Sequence, residues 1–202
     1  MENKEVINTL SEIRNMMAKS SKVLSLSGVS SIIVGFWAIL GAWIANYFIL
    51  LDNISQNLKN KIFILGGIGL IIICLITVFI CSKRKALKNN LPFKFDLTVK
   101  KMLWHFFLPL IIGGILCLIF INLGHYGLTS SMMLIFYGLG LVNLSGYTYS
   151  NSKYLGYTEI ILGLIDCVLI NYSIIFWTIG FGVGHIIYGI LFYLLCERKS
   201  QK

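Results

Sequence analysis

Six apolar runs, each close to the length a helix needs to cross a bilayer, divide this chain and leave only short polar segments between them. They cover roughly residues 26–51, 62–81, 103–123, 129–147, 155–171 and 174–196. A hydrocarbon core of about 30 Å takes about 20 helical residues, and about 17 to 25 is the usual range. In lipid every backbone N–H and C=O must be paired internally, which leaves helices and closed barrels as spanning structures. The ten-residue segments of alternating hydrophobicity that a barrel needs are absent. The predicted fold class is therefore all-α: a polytopic membrane protein of six transmembrane helices arranged as three hairpins. The run 155–171 is the least secure by hydropathy, because it is short and holds two acids. A tight turn at 171–173 ties it to the apolar run 174–196, so the two are expected to enter as one hairpin.

The composition agrees. Charged residues make up 12% of the 202 residues, about half the share in a soluble domain. Residues 1–25 are predicted to form an amphipathic helix, 26–196 the membrane domain, and 197–202 a cytoplasmic tail. In the first segment Val6, Leu10, Ile13, Met17 and Leu24 recur at helical spacing, while Lys4, Arg14, Lys19 and Lys22 fall elsewhere. Such a helix suits the membrane surface, and a partner-binding helix is the rival reading. Seven charges and no apolar core in the first 24 residues argue against a cleaved signal peptide.

The net charge of +9 is topological in its distribution and does not point to nucleic acid. With the N-terminus inside, fifteen Lys and Arg fall on the cytoplasmic side and two, Lys59 and Lys61, on the other. That asymmetry places both termini in the cytoplasm. Seven of the fifteen lie in 82–102. There Lys83, Arg84, Lys85, Lys88 and Lys94 are candidates for anionic lipid headgroups, each worth about 1 kcal/mol near the surface. The plainer reading is that they only fix topology. Pro92 should end any helix continuing from the second span. Pro109 either kinks the third span or occupies its first turn.

Two short patterns repeat. GVSSIIVG (28–35) and GYTEIILG (156–163) share both glycines and the Ile-Ile pair, and IIGG (111–114) echoes them. FYGLGLV (136–142) and IYGILFY (187–193) form a second echo. They fit three hairpins of one pattern, although Ile and Gly are common in membrane helices. If the repeat holds, Ser31 stands in the first span where Glu159 stands in the fifth.

The apolar runs hold two acids, Glu159 and Asp166, two helical turns apart on one face. Ionisable residues within a membrane usually face the protein interior and find partners. Folding the last hairpin about 171–173 sets Glu159 beside His185. Folding the preceding connection about Asn151 brings Asn143 near the same depth. Glu159, His185, Asn143 and Asp166 are thus the candidate buried polar residues, with Asp166 set apart towards the outer face. A coupled Glu–His pair can exchange a proton near neutral pH. The structural alternative is an interhelical hydrogen bond worth about 0.6 kcal/mol. Gly180 and Gly184 at four-residue spacing read as a packing face and not as a phosphate loop, since no strand precedes them and no Gly-Lys-Ser/Thr follows.

Catalytic and metal motifs are absent from the sequence: no HExxH, no GxSxG and no zinc-type spacing of His and Cys. The five cysteines lie in or at the ends of apolar runs without CxxC and read as packing residues. No enzymatic activity, cofactor or metal is expected.

Three stretches carry a resemblance: EIRNMMAKSSKVLSLSGVSSIIVG (12–35), FYGLGLVN (136–143) with YLGYTEIILGLI (154–165), and FWTIGFGVGHIIYGILFYLLCERK (176–199). Through them the chain resembles a family of small uncharacterised inner-membrane proteins of Bacteroides-type bacteria. The resemblance implies a multi-pass inner-membrane protein and imports no biochemical activity. In architecture alone, six helices in repeated hairpins are similar to HdeD-type acid-resistance membrane proteins. The expected function is an accessory or stress-related membrane protein acting on lipid or protein partners, a second copy of itself included. The alternative is a proton-linked carrier or channel using Glu159, Asp166 and His185.

Overall fold

The computed structural model describes residues 27–50, 55–88, 97–147 and 152–197. The amphipathic segment 1–25, the tail from 198, Pro92, Lys94 and the side chain of Lys88 lie outside the described residues. Among those described the structure is helical throughout. Its elements are α1 (Gly28–Ile49), α2 (Gln56–Lys88), α3 (Leu97–Asn122), α4 (Tyr126–Ser145), α5 (Ser152–Val168) and α6, a helical rod of mixed pitch over Ile170–Leu195. Five of these, all but α5, are long and apolar enough to cross a membrane. Large apolar side chains point outward, with Trp43 73% and Leu65 70% exposed. An apolar surface of that extent is untenable in water and ordinary in lipid. These features mark a multi-pass membrane protein.

What α4, α5, α1 and α6 bury is mostly small or polar. The inner stripe of α1 is Gly28, Gly35, Ala38 and Ala42. That of α5 is Ser152, Leu155, Gly156, Glu159, Gly163 and Asp166, at three-to-four spacing. Small side chains let backbones approach, which is the main source of helix association when lipid is as apolar as leucine.

Two glycine seams result, and they are copies of each other. A methyl placed on Gly28 in α1 would stand 2.6 Å from the Gly189 carbonyl oxygen in α6, and one on Gly189 would stand 2.6 Å from the Gly28 oxygen. Gly156 in α5 and Gly138 in α4 face each other alike, at 2.7 and 2.6 Å. The neighbours correspond as well. Ile32 crowds Gly189 as Ile160 crowds Gly138, and Tyr193 crowds Gly28 as Val142 crowds Gly156. These are the positions that the two sequence echoes align. The repeat is thus expressed as two helix pairs, α1 with α6 and α4 with α5. Within the last hairpin, α5 touches α6 only over short stretches around the turn and the buried acids.

α3 packs on α4, where Gly113 admits Phe136 and Gly140 admits Leu110. Gly124, with φ +81°, makes the turn between these helices. Pro109 lies in the interior of α3, neither in its first turn nor at its end. Proline has no N–H to give the carbonyl four residues back, which belongs to His105. α2 packs along α1, where Leu70 lies against Gly41, and is tied to the start of α4 by the Tyr126 hydroxyl, which donates to Asn60 and accepts from Gln56; its apolar span has no fully buried residue.

Candidate functional site

The buried stripe of α5 carries both acids inward, and both are 0% exposed. Glu159 faces α6. His185 Nδ1 stands 3.5 Å from its Oε1, as folding the hairpin about 171–173 predicts. Room for the carboxylate comes from Gly180, where a methyl would collide with Oε2 of Glu159 and approach Leu134 Cδ2 to 2.5 Å.

The imidazole is held on every side. Its Nε2 lies 2.7 Å from the Tyr137 hydroxyl of α4, and its Nδ1 lies 3.3 Å from the Gly180 carbonyl. The ring of Phe181 stacks on it and that of Tyr137 tilts against it. The backbone carbonyl of His185 accepts a 2.8 Å hydrogen bond from the Ser31 hydroxyl of α1. In the neutral ring, Tyr137 donates to Nε2 and Nδ1–H points between Gly180 and Glu159. In the charged ring both nitrogens donate, and the Tyr137 bond reverses its sense.

Neither oxygen of Glu159 has a hydrogen-bond partner among the described residues, because 3.5 Å exceeds hydrogen-bonding reach. Asp166 is also without one at either oxygen, and so is the Ser131 hydroxyl, 0% exposed on α4. Asp166 lies two turns beyond Glu159 on the same stripe, as expected.

Asn143 is elsewhere. It is exposed, and its Nδ2 donates to the His105 carbonyl of α3 at 3.2 Å. That carbonyl is the one Pro109 leaves without a helical donor, so Asn143 repairs the α3 ladder and does not join the acid. The expected depth was wrong because helices α4 and α5 end and begin at Ser145 and Ser152. Their connection is centred near 148–149 and not on Asn151, which brings Tyr137, not Asn143, to the level of Glu159. Sequence reasoning missed Tyr137 as a polar partner. The available signal was the Tyr-Gly pair that the fourth and sixth spans share.

At the same end of the bundle as Asn143 and His105, Lys83 and Arg84 are exposed on the last turns of α2, and the Lys85 ammonium lies 5.2 Å from the centre of the Phe192 ring. Among the described residues no group of three or more His, Cys, Asp or Glu is placed to hold a metal ion. Cys74, Cys81, Cys117 and Cys167 are free thiols.

Comparison with protein-family models, with curated proteins and with solved structures finds no match to this chain. The chemistry of the site therefore rests on its own geometry. It consists of an acid and a base facing each other in a sealed apolar bundle, a hydroxyl on the far side of the base, and a second acid about 10 Å along the helix axis.

Proposed function

We propose that this chain is a six-span protein of a bacterial inner membrane and that it works as a proton-linked carrier of a small solute. The six spans follow one another as three hairpins, both termini are cytoplasmic, and the N-terminal segment lies along the membrane face. The 15-to-2 division of Lys and Arg supports that orientation. Lys83, Arg84, Lys85, Lys88 and Lys94 then stand at the level of anionic headgroups.

One observation carries the carrier reading: a wholly buried Glu159 whose oxygens accept no hydrogen bond and whose nearest base is His185. A polar residue retained only to glue helices would be saturated with donors, since an unpaired polar group in an apolar interior costs free energy. An unsaturated acid beside a hydrogen-bonded imidazole can accept and release a proton with little rearrangement. Because the His185 ring is bonded to Tyr137 of α4 as well, each proton exchanged alters contacts among three helices.

The test uses purified full-length protein in proteoliposomes under an imposed pH gradient. Currents are recorded on addition of amino acids, sugars, organic acids and inorganic ions in turn. A solute-dependent current in the wild type that Glu159→Gln abolishes supports carriage. No current with any solute defeats it. If Glu159→Gln and His185→Ala only lower thermal stability, the pair is structural.

A second reading, an accessory protein with lipid or protein partners, is favoured by α2, whose apolar span has no residue fully buried by the rest of the chain. Crosslinking from α2 in native membranes separates the two, since a carrier acting alone gives no reproducible protein adduct there.

A further inference from the structure

We infer that Asp166 and Ser131 form a binding site for a monovalent alkali cation, sodium in the first place, at the seam between α4 and α5. The site is separate from the Glu159–His185 pair. Two close approaches bracket it. A methyl on Gly163, one turn before Asp166, would stand 3.0 Å from the Ser131 carbonyl oxygen. One on Gly127, one turn before Ser131, would stand 3.1 Å from the carbonyl oxygen of Ile170, which opens α6 just past the end of α5. Asp166 and Ser131 therefore lie at one level on the facing sides of adjoining helices. The start of α6 closes the third side, where the Ser130 hydroxyl donates to the Ser173 carbonyl at 3.0 Å.

The second acid differs from the first in one decisive respect. Glu159 has an imidazole opposite it, whereas among the described residues Asp166 makes no hydrogen bond at either oxygen and no ion pair is found for it. The Ser131 hydroxyl is fully buried and equally unpartnered. An ionised carboxylate sealed in this way needs a positive charge beside it. A carboxylate and a hydroxyl are hard oxygen donors, suited to alkali and alkaline-earth ions. The charge count selects between those classes. One carboxylate neutralises a monovalent ion and leaves a divalent one with a net positive charge in an apolar bundle. The repeat points the same way. The position aligned with Asp166 in α1 is Ala38, buried and apolar, so the fold itself does not require an acid there.

The experiment is thermal unfolding of purified full-length protein in a neutral detergent, at constant pH and ionic strength, with choline replaced stepwise by Na⁺, Li⁺ or K⁺. The expected result is a saturable rise in midpoint of several degrees with Na⁺ and a much smaller one with K⁺. Asp166→Asn should abolish the sodium response, and Ser131→Ala should raise the half-saturating concentration about tenfold. Glu159→Gln should leave it within about twofold, so failure here and failure of the proton reading are distinguishable. Equal responses to all cations, an unchanged response in Asp166→Asn, or a midpoint that follows pH alone would overturn the site. Should Asp166→Asn not fold, equilibrium binding of radioactive sodium to the wild type decides the matter. Binding displaced by unlabelled Na⁺ but not by K⁺ supports the site, and its absence refutes it.

Discussion

Glu159 and His185 face each other at 3.5 Å, and each stands where the other helix pair carries a non-ionisable residue. The position aligned with Glu159 is Ser31 in α1, and the one aligned with His185 is Leu134 in α4. Two near-copies of one glycine-seamed pair thus differ at these two ionisable positions, as they do at Asp166 against Ala38, and Glu159 and His185 meet where the pairs touch. Ser31 still spans its own seam, to the His185 carbonyl.

The seams should be intolerant of any added side chain. Gly138→Val and Gly156→Val would push a side chain into a carbonyl oxygen now 2.6 to 2.7 Å from the added carbon. Overpacking of this kind costs about 1–3 kcal/mol or more. Gly66→Ala in α2 is the control, since nothing lies within 4 Å of a methyl there. It should be neutral, or stabilising by up to about 1 kcal/mol through helix propensity. Thermal midpoints in detergent check both. A seam variant as stable as the wild type would argue against the packing described.

Asn143 and Pro109 should be coupled. Removing the amide with Asn143→Ala leaves the His105 carbonyl unpaired and should cost about 0.5–1.5 kcal/mol. Restoring a backbone donor with Pro109→Ala should erase most of that cost, because the α3 ladder then closes without Asn143. A double-mutant cycle measures the coupling. Additive effects would mean that Asn143 does not serve this carbonyl.

Part of this arrangement is legible in the sequence. Five of the spans follow from the length of the apolar runs, and the Glu159–His185 meeting follows from a short connection between the last two runs, which the chain makes at Leu169 with a tight helical turn over Ile170–Tyr172 and not at 171–173. Glycine echoes at 28 and 156, and at 138 and 189, fall on the residues that line both seams. Depth across the α4–α5 connection is harder to read, because it depends on where the two helices end. Asn143 and Tyr137 are six residues apart on one helix and point to different neighbours, and only the true ends of α4 and α5 decide which one reaches the level of Glu159. The role of Asn143 needs a proline on another helix to explain it. The mixed pitch of α6 is likewise invisible to hydropathy. Its wide-pitch stretch Thr178–Gly184 carries three glycines, whose lack of side chains lets the helix widen at little steric cost.

Gly180 should act on the site and not only on stability. Gly180→Ala puts a methyl where the Glu159 carboxylate now lies, forcing the acid away from His185. Proteoliposome currents should fall at least tenfold. A variant that folds and keeps full current would show that the carboxylate does not need its present position.

Orientation has its own check. In a cysteine-free background, Lys59→Cys at the start of α2 should react with an impermeant maleimide in intact bacterial cells. Arg84→Cys at its far end should react only after permeabilisation. The reverse pattern would invert the topology.

The proposed carriage depends on proton exchange between Glu159 and His185 inside the bundle. Infrared difference spectroscopy of the purified protein across a pH titration tests it without knowledge of the solute. A protonated-carboxyl band should titrate in the wild type, disappear in Glu159→Gln, and titrate at a different pH in His185→Gln. A spectrum with no titrating carboxyl band, or one that Glu159→Gln leaves unchanged, would contradict it.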